Sequence, residues 1–390
     1  MARTRSRTEM SPGGKSWKNS NTPISQVPVV LSQGTCHDSV GYPTDHSLDI
    51  LSRSRLDCLA NGTNGKLGVG RRSVENYVPA YLRTSLPYAD SAGFFPISSP
   101  TAESAAVTAA ARSNPSRPAV NLPLAVAELK DLPQTVKSIG DLIRSSKGRG
   151  RSGMDIPYKL GSANLTWSFG IAPLISDVKR LFLFQKAVDN KIKELRNLRD
   201  KGGIRRRVKL HSDQTSTTQT GINFESNMWS ALNAVRTTTF LIDQWATIRW
   251  RPNDLTSLPR DEAELRSKAA RLVLGLEADS LYTTAWNLVP WSWMTDWFVN
   301  VGDYLEAQNH SVHSTCEKIN IMTHYRAYAT FTNINKPSWV TGLDECTLAS
   351  EWKMRRIFTS LPGITASVPL IEGHRLGILA SLAVTRGKRR

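Results

Sequence analysis

The chain has 390 residues, is 40% hydrophobic and carries 50 Lys+Arg against 33 Asp+Glu, a formal net charge of +17 at pH 7. Its length suits two or three average domains or one large body, and its apolar share suffices for a real core. The basic excess points to a polyanionic partner, nucleic acid before an anionic membrane surface, over charge carried only for solubility. No run of about 18 apolar residues offers a membrane-spanning helix, and the basic start Met-Ala-Arg-Thr-Arg-Ser-Arg lacks the apolar segment of a secretory signal.

In chain order, residues 1–23 are rich in Ser, Thr, Arg, Gly and Pro and read as a disordered basic arm. From Ile24 to about Pro100, short apolar runs alternate with turn signals (Asn61-Gly62, Asn64-Gly65, Leu86-Pro87, Phe95-Pro96), which predicts short strands and hairpins. The period then changes. Leu122, Val126, Leu129, Val136, Ile139 and Ile143 predict a helix over Ala119–Ser146, kinked or split at Pro133. A second helix is expected from Pro173, with Leu174, Val178, Leu181, Val188, Ile192 and Leu195 as its apolar stripe and Lys179, Arg180, Lys186, Lys191 and Lys193 on the opposite face. Gly202-Gly203 ends it.

Thr-rich alternating text over 204–252 predicts strands. A third helix follows Pro259, with Asp261, Glu262 and Glu264 in its first turn and Leu265, Ala269, Leu272 and Leu276 on its apolar face. The block from Trp286 to Asp303 reads as two helices broken at Pro290, strand-like text returns over 312–360, and an apolar segment, Leu376–Val384, precedes the basic end. Helical and strand-rich blocks alternate without βαβ units. The expected fold is α+β, elongated, with a helical-bundle region and a segregated antiparallel β-sheet region built from discontinuous segments. The β region is placed at 24–100, 204–255 and 311–365, the helical region at 101–203, 256–310 and 366–390.

Three basic clusters are the strongest chemical signal. Lys191, Lys193, Arg196, Arg199, Lys201, Arg205, Arg206, Arg207 and Lys209 crowd one span against only Glu194 and Asp200. Arg144, Lys147, Arg149 and Arg151 form a second cluster, and Lys388, Arg389 and Arg390 a third. Together with Lys179, Arg180 and Lys186 they are the candidate phosphate contacts, the alternative for each being a solvated helix face. Arginines in Gly-rich loops, without helix-turn-helix or finger spacing, favour irregular folded RNA over duplex DNA. Other signals are thin. Gly13-Gly14-Lys15-Ser16 imitates the end of a phosphate loop, but Glu9 stands where its first glycine belongs. Asp296, Asp303 and Glu306 share helical spacing suited to Mg²⁺, yet Asp296 is better read as a half-buried carboxylate accepting indole or backbone N–H bonds. His310, His313 and His324 make a weak zinc set, no Ser/His/Asp set declares itself, and no cofactor or metal is expected. Cys36, Cys58, Cys316 and Cys346 form no C-x-x-C and read as free thiols, although spacing leaves a Cys36–Cys58 bridge open.

Four of the eleven tryptophans fall between Trp286 and Trp297. The run Trp286-Asn-Leu-Val-Pro290-Trp-Ser292-Trp-Met-Thr-Asp296-Trp297-Phe-Val-Asn-Val-Gly302 resembles the maturation proteins of single-stranded RNA bacteriophages, the leviviruses, whose pattern is Trp-x-x-x-Pro-[aromatic]-Ser-[aromatic]-x-x-Asp-Trp-[apolar]-x-x-Val-Gly. Phe169-Gly170-Ile-Ala-Pro173-Leu-Ile-Ser-Asp177 is similar to the family's Phe-Gly-x-x-Pro-Leu-x-x-Asp at the head of a long helix. The two motifs cover about 30 residues, and residues 1–100 carry no quotable match. The resemblance implies a non-enzymatic virion protein, made in the host cytoplasm. It would take the place of a coat-protein dimer, grip genomic RNA with an inward helical region and attach to a bacterial pilus through an outward β region. Phe169, Gly170, Pro173, Asp177, Trp286, Pro290, Ser292, Asp296, Trp297 and Gly302 are then packing residues. Two alternatives stand beside it: a Mg-dependent RNA-acting nuclease using Asp296, Asp303 and Glu306, and a maturation protein that also lyses its host.

Overall fold

The computed structural model describes residues 2–18, 21–40, 46–65, 72–83, 99–119, 184–225, 231–277, 279–289, 292–296, 298–364, 378–379 and 381. The helix expected over Ala119–Ser146, the Phe169–Asp177 motif, the cations Arg144, Lys147, Arg149, Arg151, Lys179 and Arg180, and the Lys388–Arg390 tail lie outside these residues.

The fold is α+β, with a large antiparallel sheet and few helices among the described residues. Among the described residues the strands run β1 (Ala2–Met10), β2 (Lys15–Lys18), β3 (Ile24–Ser25), β4 (Val30–Ser39), β5 (Leu48–Leu56), β6 (Ala60–Asn64), β7 (Arg72–Tyr77), β8 (Ile204–Glu225), β9 (Leu232–Pro252), β10 (Ser314–Thr332) and β11 (Cys346–Phe358). The helices are α1 (Ala80–Arg83), α2 (Ala102–Ser113), α3 (Phe184–Asp200), α4 (Glu262–Leu274), α5 (Ser280–Leu288), α6 (Ser292–Thr295) and α7 (Val301–Ala307). A seven-stranded sheet has the order β1-β4-β5-β11-β10-β9-β8, and a four-stranded sheet the order β3-β2-β7-β6. The chain divides into two compact units: Met1–Ala102, Lys209–Thr247 and Asn320–Phe358 form one, Glu103–Val208, Ile248–Ile319 and Thr359–Arg390 the other.

In the first unit, residues 1–23 are not the disordered arm expected from composition. β1 pairs antiparallel with β4, from Ala2↔Ser39 onward. Arg3 donates from Nε to Asp38 Oδ1 at 2.9 Å and from Nη2 to Oδ2 at 2.8 Å, and Arg5 adds a bond to Oδ2 at 2.5 Å. β2 buries Trp17. A Ser/Arg-rich segment orders here because its partner strand, some thirty residues away, supplies both the ladder and the carboxylate. The expected turn at Asn61-Gly62 is also corrected. Both residues lie within β6, where Asn61 exchanges backbone bonds with Thr341 at 3.1 and 2.8 Å. A Cβ on Gly62 (φ +145) would stand 1.9 Å from the Trp339 carbonyl oxygen, so the glycine serves a close backbone approach.

β9 and β10 alternate buried and half-exposed residues along most of their length, as the period-two sequence predicts. Hydroxyl pairs Ser216–Thr239 (3.2 Å) and Thr218–Thr237 (3.3 Å), with Ser212 donating to Asp243 at 2.8 Å, tie β8 to β9. The core gathers Val74, Val78, Leu82, Phe224, Leu232, Phe331, Leu343 and Leu348, with the Phe224 and Phe331 rings 5.2 Å apart. Buried Glu225 accepts from the Tyr77 hydroxyl (3.1 Å) and the Ala80 amide (2.7 Å) and faces Arg83 at 3.7 Å, so its charge is compensated. All four cysteines are free thiols; buried Cys58 and Cys346 donate to the carbonyls of Leu56 (3.0 Å) and Asp57 (3.1 Å).

The second unit packs α3 against α4. Val188, Ile192, Leu195 and Leu198 meet Leu258, Leu265, Ala269, Leu272 and Val273. Asp261, expected inside the first turn of α4, instead caps it, accepting from the Ala263 and Glu264 amides, both at 3.0 Å; Glu262 and Glu264 lie in that turn. The helix stops at Gly275 (φ 69), beyond which Leu276 donates to the Arg271 carbonyl at 3.0 Å. Leu276, expected on the apolar face, lies past this cap and is exposed. Among the described residues no helix is long and apolar enough to cross a membrane.

Candidate nucleic-acid interface

The interface is built on α3, the Gly202-Gly203 turn and the start of β8. Gly202 takes φ +62 and Gly203 φ +151; a Cβ on Gly203 would sit 2.8 Å from the Trp250 carbonyl oxygen, so only glycine lets β8 leave the helix beside β9. On α3, Lys186 and Lys193 are exposed, opposite the apolar stripe. After the turn, Lys201, Arg205 and Arg207 are exposed, the last two on one face of β8 because alternate strand residues point the same way. Lys209, next in that alternation, is exposed and belongs to the first unit.

Other expected contacts are held by the protein itself. Arg196 pairs with Glu262, and Arg199 with Asp200 at 2.8 Å and the Pro259 carbonyl at 2.7 Å. Arg206 reaches Glu194 at 2.5 Å and the Ser113 carbonyl at 3.0 Å. Lys191 does not lie on the cationic face at all. It is buried, donating from Nζ to the carbonyls of Pro115 (2.8 Å) and Arg117 (3.3 Å), with Glu194 at 3.6 Å. The reason is Leu198, which widens the stripe: at ~100° per residue Lys191 falls between Leu195 and Leu198. Burial pulls the Lys191 amine below its ordinary value, and Glu194 opposes that shift.

The segment that receives Lys191 was missed in the sequence. α2 buries Ala105, Ala106, Val107, Ala109, Ala110 and Ala111, and its end is tied down on several sides. The Trp250 indole donates to Ser113 Oγ at 3.0 Å, and Asn114 Nδ2 donates to the Glu306 and Asn309 carbonyls, both at 2.9 Å. The readable signal was the alanine run itself, strong in helix propensity.

The tryptophan block forms a second constellation. Trp286 Nε1 donates to Asp296 Oδ2 at 3.1 Å, and the Gly302 amide donates to Oδ1 at 2.9 Å. Asp296 thus accepts both kinds of bond expected of it. A Cβ at Gly302 would stand 2.8 Å from Asp296 Oδ2, so the glycine makes room for the carboxylate. Ser292 is buried and its carbonyl accepts from the Asp296 amide at 2.9 Å. Trp286, Ser292, Asp296 and Gly302 are therefore one hydrogen-bonded unit; Pro290 and Trp297 lie outside the described residues.

The carboxylates of the nuclease alternative are engaged separately. Asp303 accepts from the Thr108 hydroxyl at 2.6 Å, while burial raises the Glu306 carboxyl, opposed by the charge of Arg117. His324 sits 3.5 Å from Glu351, and burial lowers its ring below the ordinary imidazole value. Among the described residues no three His, Cys, Asp or Glu side chains come together in a way that would hold a metal ion.

Residues 152–334 match the family model of the phage maturation protein, a span that contains α3, the cationic turn and the whole tryptophan block. Over that span the chain is similar to the phage maturation protein family. No curated protein sequence matches it. The Asp296-centred unit and the α3–β8 turn both lie inside the matched span.

Proposed function

We propose that this chain is a phage maturation protein that binds the genomic single-stranded RNA of its phage through the exposed cations that flank the Gly202-Gly203 turn. The carrying observation is the cluster Lys193, Lys201, Arg205 and Arg207, exposed on α3, its closing turn and the following strand. Such a cluster engages phosphates without reading base sequence. In this reading the helices of the second unit, with those expected at 119–146 and from Pro173, form a bundle that faces RNA and capsid. The strand-rich first unit faces outward, the protein replaces a coat-protein dimer, and it attaches the particle to a bacterial pilus for genome delivery. These last roles rest on the similarity to the phage maturation protein family; the free thiols suit synthesis in the host cytoplasm.

The test uses the full chain and phage RNA. Lys193→Glu, Lys201→Glu, Arg205→Glu and Arg207→Glu combined are expected to weaken RNA retention on filters at physiological salt by at least about tenfold, with the thermal melt unchanged. Retention equal to the parent would refute the reading. Lys191 and Arg206 are unsuitable targets, since their reversal breaks the buried contacts with Pro115, Ser113 and Glu194.

A further inference from the structure

A cavity of about 280 Å³ opens in the second unit between the end of α2, the middle of α3 and the start of β8. Arg112, Arg117, Lys191 and Arg206 line it, with Glu194 as the one carboxylate among its described lining residues. Glu194 Oε2 is committed, 2.5 Å from Arg206 and 3.6 Å from Lys191. Lys191 forms a nine-tenths-buried cationic floor, fixed by the Pro115 and Arg117 carbonyls. The floor is thus positive and rigid, while Arg112 and Arg117 stand exposed at the rim. Beside them the exposed amide of Asn190 offers a donor and an acceptor, and Pro118, Ala187 and Val273 supply apolar wall.

The size and chemistry select among anions. The volume falls just below the usual range of small-molecule sites, ~300–1,000 Å³, which limits the cavity to one small ligand and excludes a helix. Two rim arginines over a positive floor suit a phosphate, an apolar wall suits a base face, and an amide suits a base edge; an unstacked nucleotide presents all three. We propose that this cavity is a subsite for one unstacked nucleotide of single-stranded RNA, its phosphate at Arg112 and Arg117 and its base edge at Asn190. The subsite rests on the RNA-binding reading above and adds to it a preference for single strands.

The experiment measures binding of a fluorescent single-stranded oligoribonucleotide to the full chain, with nucleoside 5′-monophosphates, inorganic phosphate and a duplex of the same sequence as competitors. Nucleoside monophosphates are expected to compete about tenfold better than inorganic phosphate, and the duplex to compete poorly. Arg117→Gln and Asn190→Ala, both at exposed positions, are each expected to abolish monophosphate competition while the circular dichroism and melt of the parent are kept. Equal competition by inorganic phosphate would leave only an anion site and overturn the nucleotide assignment. Variants that bind monophosphates like the parent overturn it too, and if the Lys193/Lys201/Arg205/Arg207 variant still loses RNA, the broader reading survives that failure. Monophosphate binding by a chain that retains no RNA would leave a free-nucleotide site and overturn both readings.

Discussion

Asp296 shows how one carboxylate can explain a sequence pattern. It takes the Trp286 indole on one oxygen and the Gly302 amide on the other, and the glycine is required because a methyl group would stand 2.8 Å from that carboxylate. Gly302→Ala is therefore expected to cost about 1–3 kcal/mol by overpacking, and Asp296→Ala a similar amount through two lost hydrogen bonds. Urea denaturation of both variants and their combination checks this. The double variant should lose less than the sum, since removing the carboxylate also removes the clash; strict additivity would contradict the geometry. A second residue-scale effect concerns Asp38, whose carboxyl is held down from 3.8 to about 2, chiefly by the Arg3 hydrogen bond. A depressed carboxyl contributes stability above its unfolded value and loses it as the pH falls through its folded one. The β1–β4 pairing should thus loosen between 3.8 and about 2, seen as faster amide hydrogen exchange in residues 2–10. Asp38→Asn should remove that acid step and speed exchange already at neutral pH.

At the scale of elements, α3 illustrates what pattern reading captures and where it stops. Val188, Ile192 and Leu195 are buried as their spacing predicts, whereas α4 ends at Gly275, one residue short of Leu276, the last position of its expected apolar face. The strands β8 to β11 follow from alternation, because a half-buried sheet imposes its period on neighbouring residues. Lys191 escaped because a lysine within an apolar stripe is compensated by carbonyls of Pro115 and Arg117, more than seventy residues away. β1 escaped for the same reason, since its ordering partner Asp38 is not local. The Trp286–Asp296–Gly302 unit was partly legible because its three members lie within seventeen residues, whereas no local rule marks Pro115 or Arg117 as neighbours of α3. Lys191→Ala should destabilise the second unit by about 2–3 kcal/mol, the worth of charged hydrogen bonds lost to buried carbonyls. Because burial lowers this amine, the parent gains stability as the pH rises from its folded value toward 10.5. In Lys191→Met that rise should be absent from denaturation curves; an unchanged pH profile would mean the amine is not the titrating group.

For the whole molecule, the charge of +17 sets a background that no single patch accounts for. Neutralising Lys193, Lys201, Arg205 and Arg207 to Gln removes four of 50 cationic side chains. With about 0.7 ion released per single-strand phosphate contact, the slope of log K against log salt should fall by roughly 3 and stay above zero. Filter binding across a salt series reads this directly. A slope that does not move would spread RNA contact evenly over the basic surface and deny the turn its special place.

β8 ends the seven-stranded sheet, and its residues 213–221 expose Asp, Gln, Ser and Thr almost throughout. That fringe is polar, and among the described residues one row of its main-chain amides and carbonyls has no neighbouring strand in the sheet order. When the recombinant polypeptide is concentrated away from its particle, self-association should start along this border and resist added salt, because main-chain pairing is indifferent to ionic strength. A proline replacing Thr217 would be the remedy at the bench.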